Sequence, residues 1–178
     1  MTQLIILDRD GVINHDSLQY IKSPDEFVLL PGSVEAIARL TAANYKVAVA
    51  TNQSGIARGY YDAAQLAAIH DKMCAAVNLA GGHIDVIEYC SHMPDSGCAN
   101  RKPAPGLLLR IAKRFNCVLS DVPFVGDRIS DIQAAKAAGA KPVLVLSTMT
   151  DRVGLAAYPE VPVYESLAQY VDDLLGQK

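Results

Sequence analysis

The chain has 178 residues, 51% of them hydrophobic and 20% charged, with a formal charge of -3. One domain spanning 1–178 is expected, because this length buries a core without staples and the composition excludes a disordered chain. The acidic balance argues against nucleic acid or an acidic membrane as partner, since both need clustered Lys and Arg, but it leaves a small anionic substrate open.

The N-terminus, MTQLIILDRD, lacks a basic start and a small-residue cleavage site, so a cytoplasmic location is expected. No stretch approaches the roughly 20 apolar residues of a membrane span. In a reducing compartment the four cysteines are candidates for metal binding or core packing before disulfides. In chain order, QLIIL (3–7), KVAVA (46–50), HIDVIEY (83–89), VPFV (122–125), KPVLVL (141–146) and VPVY (161–164) read as strands. These runs are β-branched and do not alternate in polarity, which fits strands buried on both faces of a parallel sheet. Between them, 33–45, 62–82, 105–115 and 130–140 carry apolar residues at helical spacing, and 165–178 reads as a terminal helix. Asp62 and Gln65 form a D-x-x-Q variant of the capping box, and Gly81-Gly82 closes the same helix. Strands alternating with helices predict an α/β fold with a doubly wound, mainly parallel, Rossmann-like sheet.

Ligands of such sheets bind beyond the carboxyl ends of the strands, and the chemically informative residues fall there. Asp8-Arg9-Asp10-Gly11 follows the first run and Thr51-Asn52-Gln53-Ser54 the second. A Cys/His loop and Arg101-Lys102 follow the third, and Gly126-Asp127-Arg128 ends the fourth. Asp8, Asp10 and Asp127 would then meet at one sheet edge with Asp131 nearby, and carboxylates that close need a cation or a shared proton. A hard cation that takes one or two carboxylates plus a substrate phosphate is Mg2+. The pattern points to phosphoryl chemistry. Asp8, nearest the strand, is the candidate nucleophile that becomes an aspartyl phosphate, and Asp10, held neutral, the candidate acid/base. Thr51 and Lys102 are placed to neutralise the phosphoryl oxygens. An EF-hand loop is excluded, because Gly11 stands fourth instead of sixth and Gln19 stands where a bidentate Glu is needed. A turn, a helix cap or a solvated loop explains each motif singly. Four polar clusters at four strand ends are better explained by one site.

Together, LDRDGVIN, ATNQSGIARG, RKPAPG and VGDRISD resemble the haloacid dehalogenase superfamily of aspartate-nucleophile phosphatases. The resemblance covers essentially the whole chain and lies closest to the branch acting on sugar bisphosphates and histidinol phosphate. It implies Mg2+ held by the Asp8 and Asp127 side chains and the Asp10 carbonyl. It also implies substrate contacts at Asp16, Ser17, Leu18, Gln19, Asn52, Gln53, Ser54, Arg101 and Arg128, with Arg58 as a further candidate. Arg101 and Arg128 suit a second phosphate, whereas a cationic amine substrate would want an acidic patch, so a phosphorylated sugar is the expected small-molecule partner. The alternative from another class, a silent binding module, is disfavoured because every catalytic position is filled.

About 43 positions separate Asp8 from Thr51 and about 51 separate Thr51 from Lys102, which leaves no room for an inserted cap domain. The site should therefore be open, with specificity coming from the segments around 15–27, 55–61 and the Cys/His loop. Nothing in the sequence demands more than a monomer. In the resembling family that loop binds structural zinc through C-x-H and C-x-C. Here Cys90, His92 and Cys98 match, but Asn100 replaces the fourth ligand, and an amide is a poor substitute for a thiolate. Zinc completed by water, Asp95 or Asn100 is the expectation; the alternative is a loop without zinc, held by hydrogen bonds. Cys74 and Cys117 are read as core packing, and His70 and His83 as structural.

Overall fold

The computed structural model describes residues 3–176. Six strands form one parallel sheet: β1 (Gln3–Leu7), β2 (Tyr45–Asn52), β3 (Val86–Cys90), β4 (Pro123–Gly126), β5 (Lys141–Val145) and β6 (Val163–Tyr164), in the order β3-β2-β1-β4-β5-β6. The strand order reverses between β1 and β4, the point at which such sheets open a crevice. Five helices cover it: α1 (Ser33–Ala42), α2 (Ala63–Leu79), α3 (Gly106–Phe115), α4 (Ile129–Ala138) and α5 (Leu167–Gly176).

Because side chains alternate across a strand, each apolar run feeds two cores. Ile5, Leu7, Val47 and Val49 join Ile37, Leu40, Ile69, Met73 and Val171 on the face covered by α1, α2 and α5. Leu4, Ile6, Ala48 and Ala50 join Leu107, Ile111, Ala134 and Ala135 on the face covered by α3 and α4. The doubly wound, parallel sheet expected from the sequence is therefore present. Among the described residues, the intervals on either side of Thr51 contain α1, α2, a short helical turn, β3, most of β2 and loops, and no cap is inserted.

The boundaries differ from the pattern in places with local causes. The α1 helix stops at Ala42 because Asn44 takes a left-handed φ of 64° and Tyr45 already pairs with Gln3. The third strand starts at Val86, since the Asp85 carboxylate accepts the Val47 N–H and ends the preceding loop there. The last strand shrinks to Val163–Tyr164, with Val161 instead packed on Ile132 and Leu144. The capping box forms as expected: the Asp62 carboxylate accepts the Gln65 N–H, and the Gln65 amide oxygen accepts the Asp62 N–H. The end of the expected terminal helix, 177–178, lies outside the described residues.

Candidate active site

Four strand ends deliver four groups to one point. Asp8 continues β1, and its N–H donates to Val125 O across 2.8 Å, which locks it to β4. Its Oδ1 accepts the Arg9 N–H at 2.7 Å and pairs with Lys102 Nζ at 3.1 Å. Lys102 arrives from the loop between β3 and α3 and is 3% exposed. Its ammonium also meets Asp131 Oδ1 at 2.7 Å and Ala50 O at 3.0 Å, over the Phe124 ring. Burial opposes that charge, but Asp131 and Asp8 outweigh it and hold Lys102 protonated well above its ordinary range.

Asp8, Asp127 and Asp131 each place a carboxylate oxygen within 4.8 Å of the others. Burial pushes the Asp8 carboxyl well up, Lys102 opposes this, and the neighbouring carboxylates add to it. Burial and Asp131 likewise raise Asp127 to about 7 against the hydrogen bond from Ser147. The Asp131 carboxylate is fully engaged, because Oδ2 accepts the N–H groups of Asp127 and Arg128, each at 3.1 Å, and Oδ1 takes Lys102. Asp127 Oδ1, by contrast, is buried with no hydrogen-bond partner among the described residues. A raised pair of carboxylates with one orphaned oxygen fits a hard divalent cation. The approach is close: a side chain at Gly11 would strike the Asp127 carboxylate, and one at Gly126 would strike Asp131.

Asp10 departs from the expectation twice. Its carboxylate is not part of that cluster. Oδ1 accepts from Arg9 Nε (3.1 Å), Arg9 Nη2 (2.7 Å) and Asn14 Nδ2 (2.8 Å), and Oδ2 accepts from Gln53 Nε2 (3.1 Å). Nor is it held neutral. Burial alone would raise its pKa, but Arg9, Asn14 and Gln53 together bring it below the ordinary carboxylate value. Arg9 is itself wholly buried, donating to His70 Nε2 at 3.2 Å beside the Phe27 ring.

Thr51 is buried, and its hydroxyl accepts from Gln53 Nε2 at 2.9 Å. Tyr61 O–H donates to the Gln53 carbonyl at 2.5 Å, fixing which way the amide faces. Asn52 borders the cleft, and its amide donates to Lys102 O and accepts Lys102 N–H. Thr51, Asn52, Gln53 and Lys102 border a cleft of about 720 Å³ whose walls include Asp16, Ser17, Leu18, Ser54, Arg58, Arg101 and Arg128. Gln19 is exposed and is not part of that lining. Arg128 pairs with Asp16 at 2.6 Å, and Arg101 donates to His92 O at 3.1 Å.

In the loop beneath Arg101, donor atoms of Cys90, His92 and Cys98 lie within 4.8 Å of one another, the two sulfurs 3.8 Å apart. Asp95 is not in that group. The Asn100 amide packs where a side chain at Gly106 would collide. The Asn100 N–H and the His92 ring lower Cys98 to about 7.

Sequence reasoning missed Arg9, His70, Tyr61, Ser147 and Thr150 as parts of this site. Only Arg9, inside the Asp-x-Asp turn, and Ser147, just beyond the fifth apolar run, stood where a signal was available. His70 and Tyr61 belong to an ordinary helix and its approach.

Residues 2–139 match the haloacid dehalogenase-like hydrolase family, and the chain belongs to it. It is 53% identical over 178 residues to D-glycero-beta-D-manno-heptose-1,7-bisphosphate 7-phosphatase of Bordetella bronchiseptica, covering 98% of this chain and 99% of that protein. It is 50% identical over 174 residues to the Pseudomonas putida protein of the same name, covering 97% and 99%. The solved structure of D,D-heptose 1,7-bisphosphate phosphatase from B. bronchiseptica complexed with magnesium and phosphate superposes with a TM-score of 0.93 at 50% identity, covering 99% of both chains.

Proposed function

We propose that this chain is a Mg2+-dependent phosphatase that removes the C7 phosphate of D-glycero-β-D-manno-heptose 1,7-bisphosphate through an aspartyl phosphate on Asp8. The observation that carries this reading is the pairing of Asp8 with a buried lysine on one side and the orphaned Asp127 oxygen on the other. The substrate follows from the similarity to the two phosphatases and from the arginines lining an open cleft. No helix among the described residues is long and apolar enough to cross a membrane, in keeping with action on a dissolved sugar phosphate.

Asp8 and Asp127, with the Asp10 carbonyl, would hold Mg2+, which supplies positive charge to the phosphoryl oxygens when bound. Lys102 supplies the same charge from the other side, and Thr51, whose oxygen accepts from Gln53 and whose hydroxyl donates only to Asn52 O at 3.5 Å, would turn its proton to a phosphoryl oxygen. The hydrogen bonds of Asp8 converge on Oδ1, leaving Oδ2 to attack phosphorus as the bond to the sugar oxygen breaks. Asp10 Oδ2, with one hydrogen bond against three on Oδ1, is the oxygen that hands a proton to the leaving sugar. Asp10 is ionised before substrate arrives; the incoming phosphate's negative charge raises its proton affinity, so that it takes up from solvent the proton it then passes to the sugar oxygen. It then takes a proton from the water that hydrolyses the aspartyl phosphate, releasing inorganic phosphate.

The Cys90, His92 and Cys98 cluster is read as a three-donor zinc site with water as fourth ligand, supported by the convergence of its donors. Its role is to shape the loop whose His92 carbonyl anchors Arg101. The test of the function is a side-by-side kcat/KM for the heptose bisphosphate and for histidinol phosphate, with and without EDTA. A preference for the bisphosphate that vanishes on chelation is expected; preference for histidinol phosphate, or indifference to EDTA, overturns the reading.

A further inference from the structure

We propose that Ser147 is a positioning residue that aims the Asp127 carboxylate at its cation, with Thr150 bracing the same residue from the backbone side. The inference rests on the reading of Asp127 as a Mg2+ ligand. It concerns the loop after β5, which lies beside β4 in the sheet and folds back over its carboxyl end.

The hydrogen bonds there run in defined directions, apart from a long contact of 3.5 Å between the Ser147 and Thr150 hydroxyls. Ser147 Oγ accepts the Met149 N–H at 3.0 Å, so its single proton points to Asp127 Oδ2, 2.6 Å away. Thr150 Oγ1 accepts the Ser147 N–H at 2.9 Å, and its proton goes to the Asp127 carbonyl at 2.7 Å. The Asp127 N–H donates to Asp131 Oδ2. Every polar atom of Asp127 is therefore engaged except Oδ1, which is buried and unpartnered.

A carboxylate crowded by two others would turn to relieve repulsion, or present both oxygens to a metal. The Ser147 hydroxyl opposes both by holding Oδ2, the oxygen that Gly11 also approaches so closely that no side chain would fit between them. What remains is one oxygen in one direction. Mg2+ tolerates little departure from octahedral geometry, so a preset single ligand direction raises affinity for it. Ser147 itself belongs to a separate hollow of about 570 Å³ and does not line the substrate cleft.

Mn2+ serves as the probe, its free fraction read from the electron paramagnetic resonance signal, on wild type, Asp127→Asn, Ser147→Ala and Ser147→Thr. Circular dichroism and urea unfolding establish that each variant is folded. Ser147→Ala is expected to weaken Mn2+ binding about 10- to 100-fold. Ser147→Thr, which keeps the hydroxyl, is expected to restore it, an outcome that a role in turn shape alone would not produce. Wild-type affinity in Ser147→Ala overturns the proposal. Equal binding by wild type and Asp127→Asn removes Asp127 from the cation site, and the proposal falls with that reading. Should Ser147→Ala not fold, Thr150→Val removes the donor to the Asp127 carbonyl at nearly constant volume. It is expected to weaken Mn2+ in the same direction, and unchanged affinity overturns the proposal.

Discussion

Asn52 grips Lys102 by both backbone groups, donating to its carbonyl at 3.0 Å and accepting its N–H at 3.1 Å across a separation of 50 residues. The end of β2 thereby holds the loop that carries the ammonium onto Asp8. Asn52→Ala should lower kcat/KM by about 2 kcal/mol, roughly 30-fold, mostly in kcat, because two hydrogen bonds that fix Lys102 disappear. Phosphate-release kinetics measure it. A change confined to KM would return Asn52 to the role of substrate contact.

Asp8→Asn should abolish phosphate release while the protein remains folded. Asp8 is a buried carboxylate held against two others, so the amide is expected to unfold at no lower urea concentration than wild type. Residual turnover near the wild-type rate would overturn the nucleophile assignment.

Arg101→Ala should raise KM for the sugar bisphosphate more than for a simple monophosphate, since the arginine lines the cleft but takes no part in the Asp8–Lys102 pair. Equal effects on both substrates would remove its part in recognising a second phosphate.

The loop that anchors Arg101 should carry zinc after purification without chelator, as measured by inductively coupled plasma mass spectrometry. Removal of that zinc should reproduce the Arg101→Ala pattern, higher KM with kcat largely kept, because the His92 carbonyl tether is loosened. Zinc below about a tenth of an equivalent would leave the loop held by hydrogen bonds alone.

Burial, reinforced by the Arg9 charge, lowers His70 to about 4, so the folded protein keeps the ring neutral to accept from Arg9. The unfolded chain takes up the same proton near pH 6.5. Stability present above 6.5 is therefore lost as pH falls toward 4, since only the unfolded state gains the proton. His70→Gln keeps an acceptor that does not titrate. Relative to it, wild type should lose about 2–3 kcal/mol between pH 7 and pH 4 in urea unfolding. Parallel pH dependence of the two proteins would overturn this account of the pair.

Much of the fold could be read from apolar runs such as LIIL and VAVA, because burial on both faces of a parallel sheet imposes a composition that local pattern reveals. The strand-end rule points to Asp8, Thr51, Lys102 and Asp127, since the chemistry of such sheets sits where their strands end. Asp10 was located equally well but misread in state. Its environment is made by Arg9, Asn14 and Gln53, and the Gln53 donor stands 43 residues away in sequence.

By itself, then, the sequence determined the element types, their order, and which residue kinds stand at the strand ends, all consequences of periodicity and composition within a few residues. Only the tertiary structure decided that the close carboxylates are Asp8, Asp127 and Asp131. It likewise decided that Asn52 clamps Lys102 and that Ser147 holds one oxygen of Asp127. Those pairings depend on hydrogen-bond directions over about 3 Å between segments brought together by the sheet order, and spacing along the chain carries no record of direction.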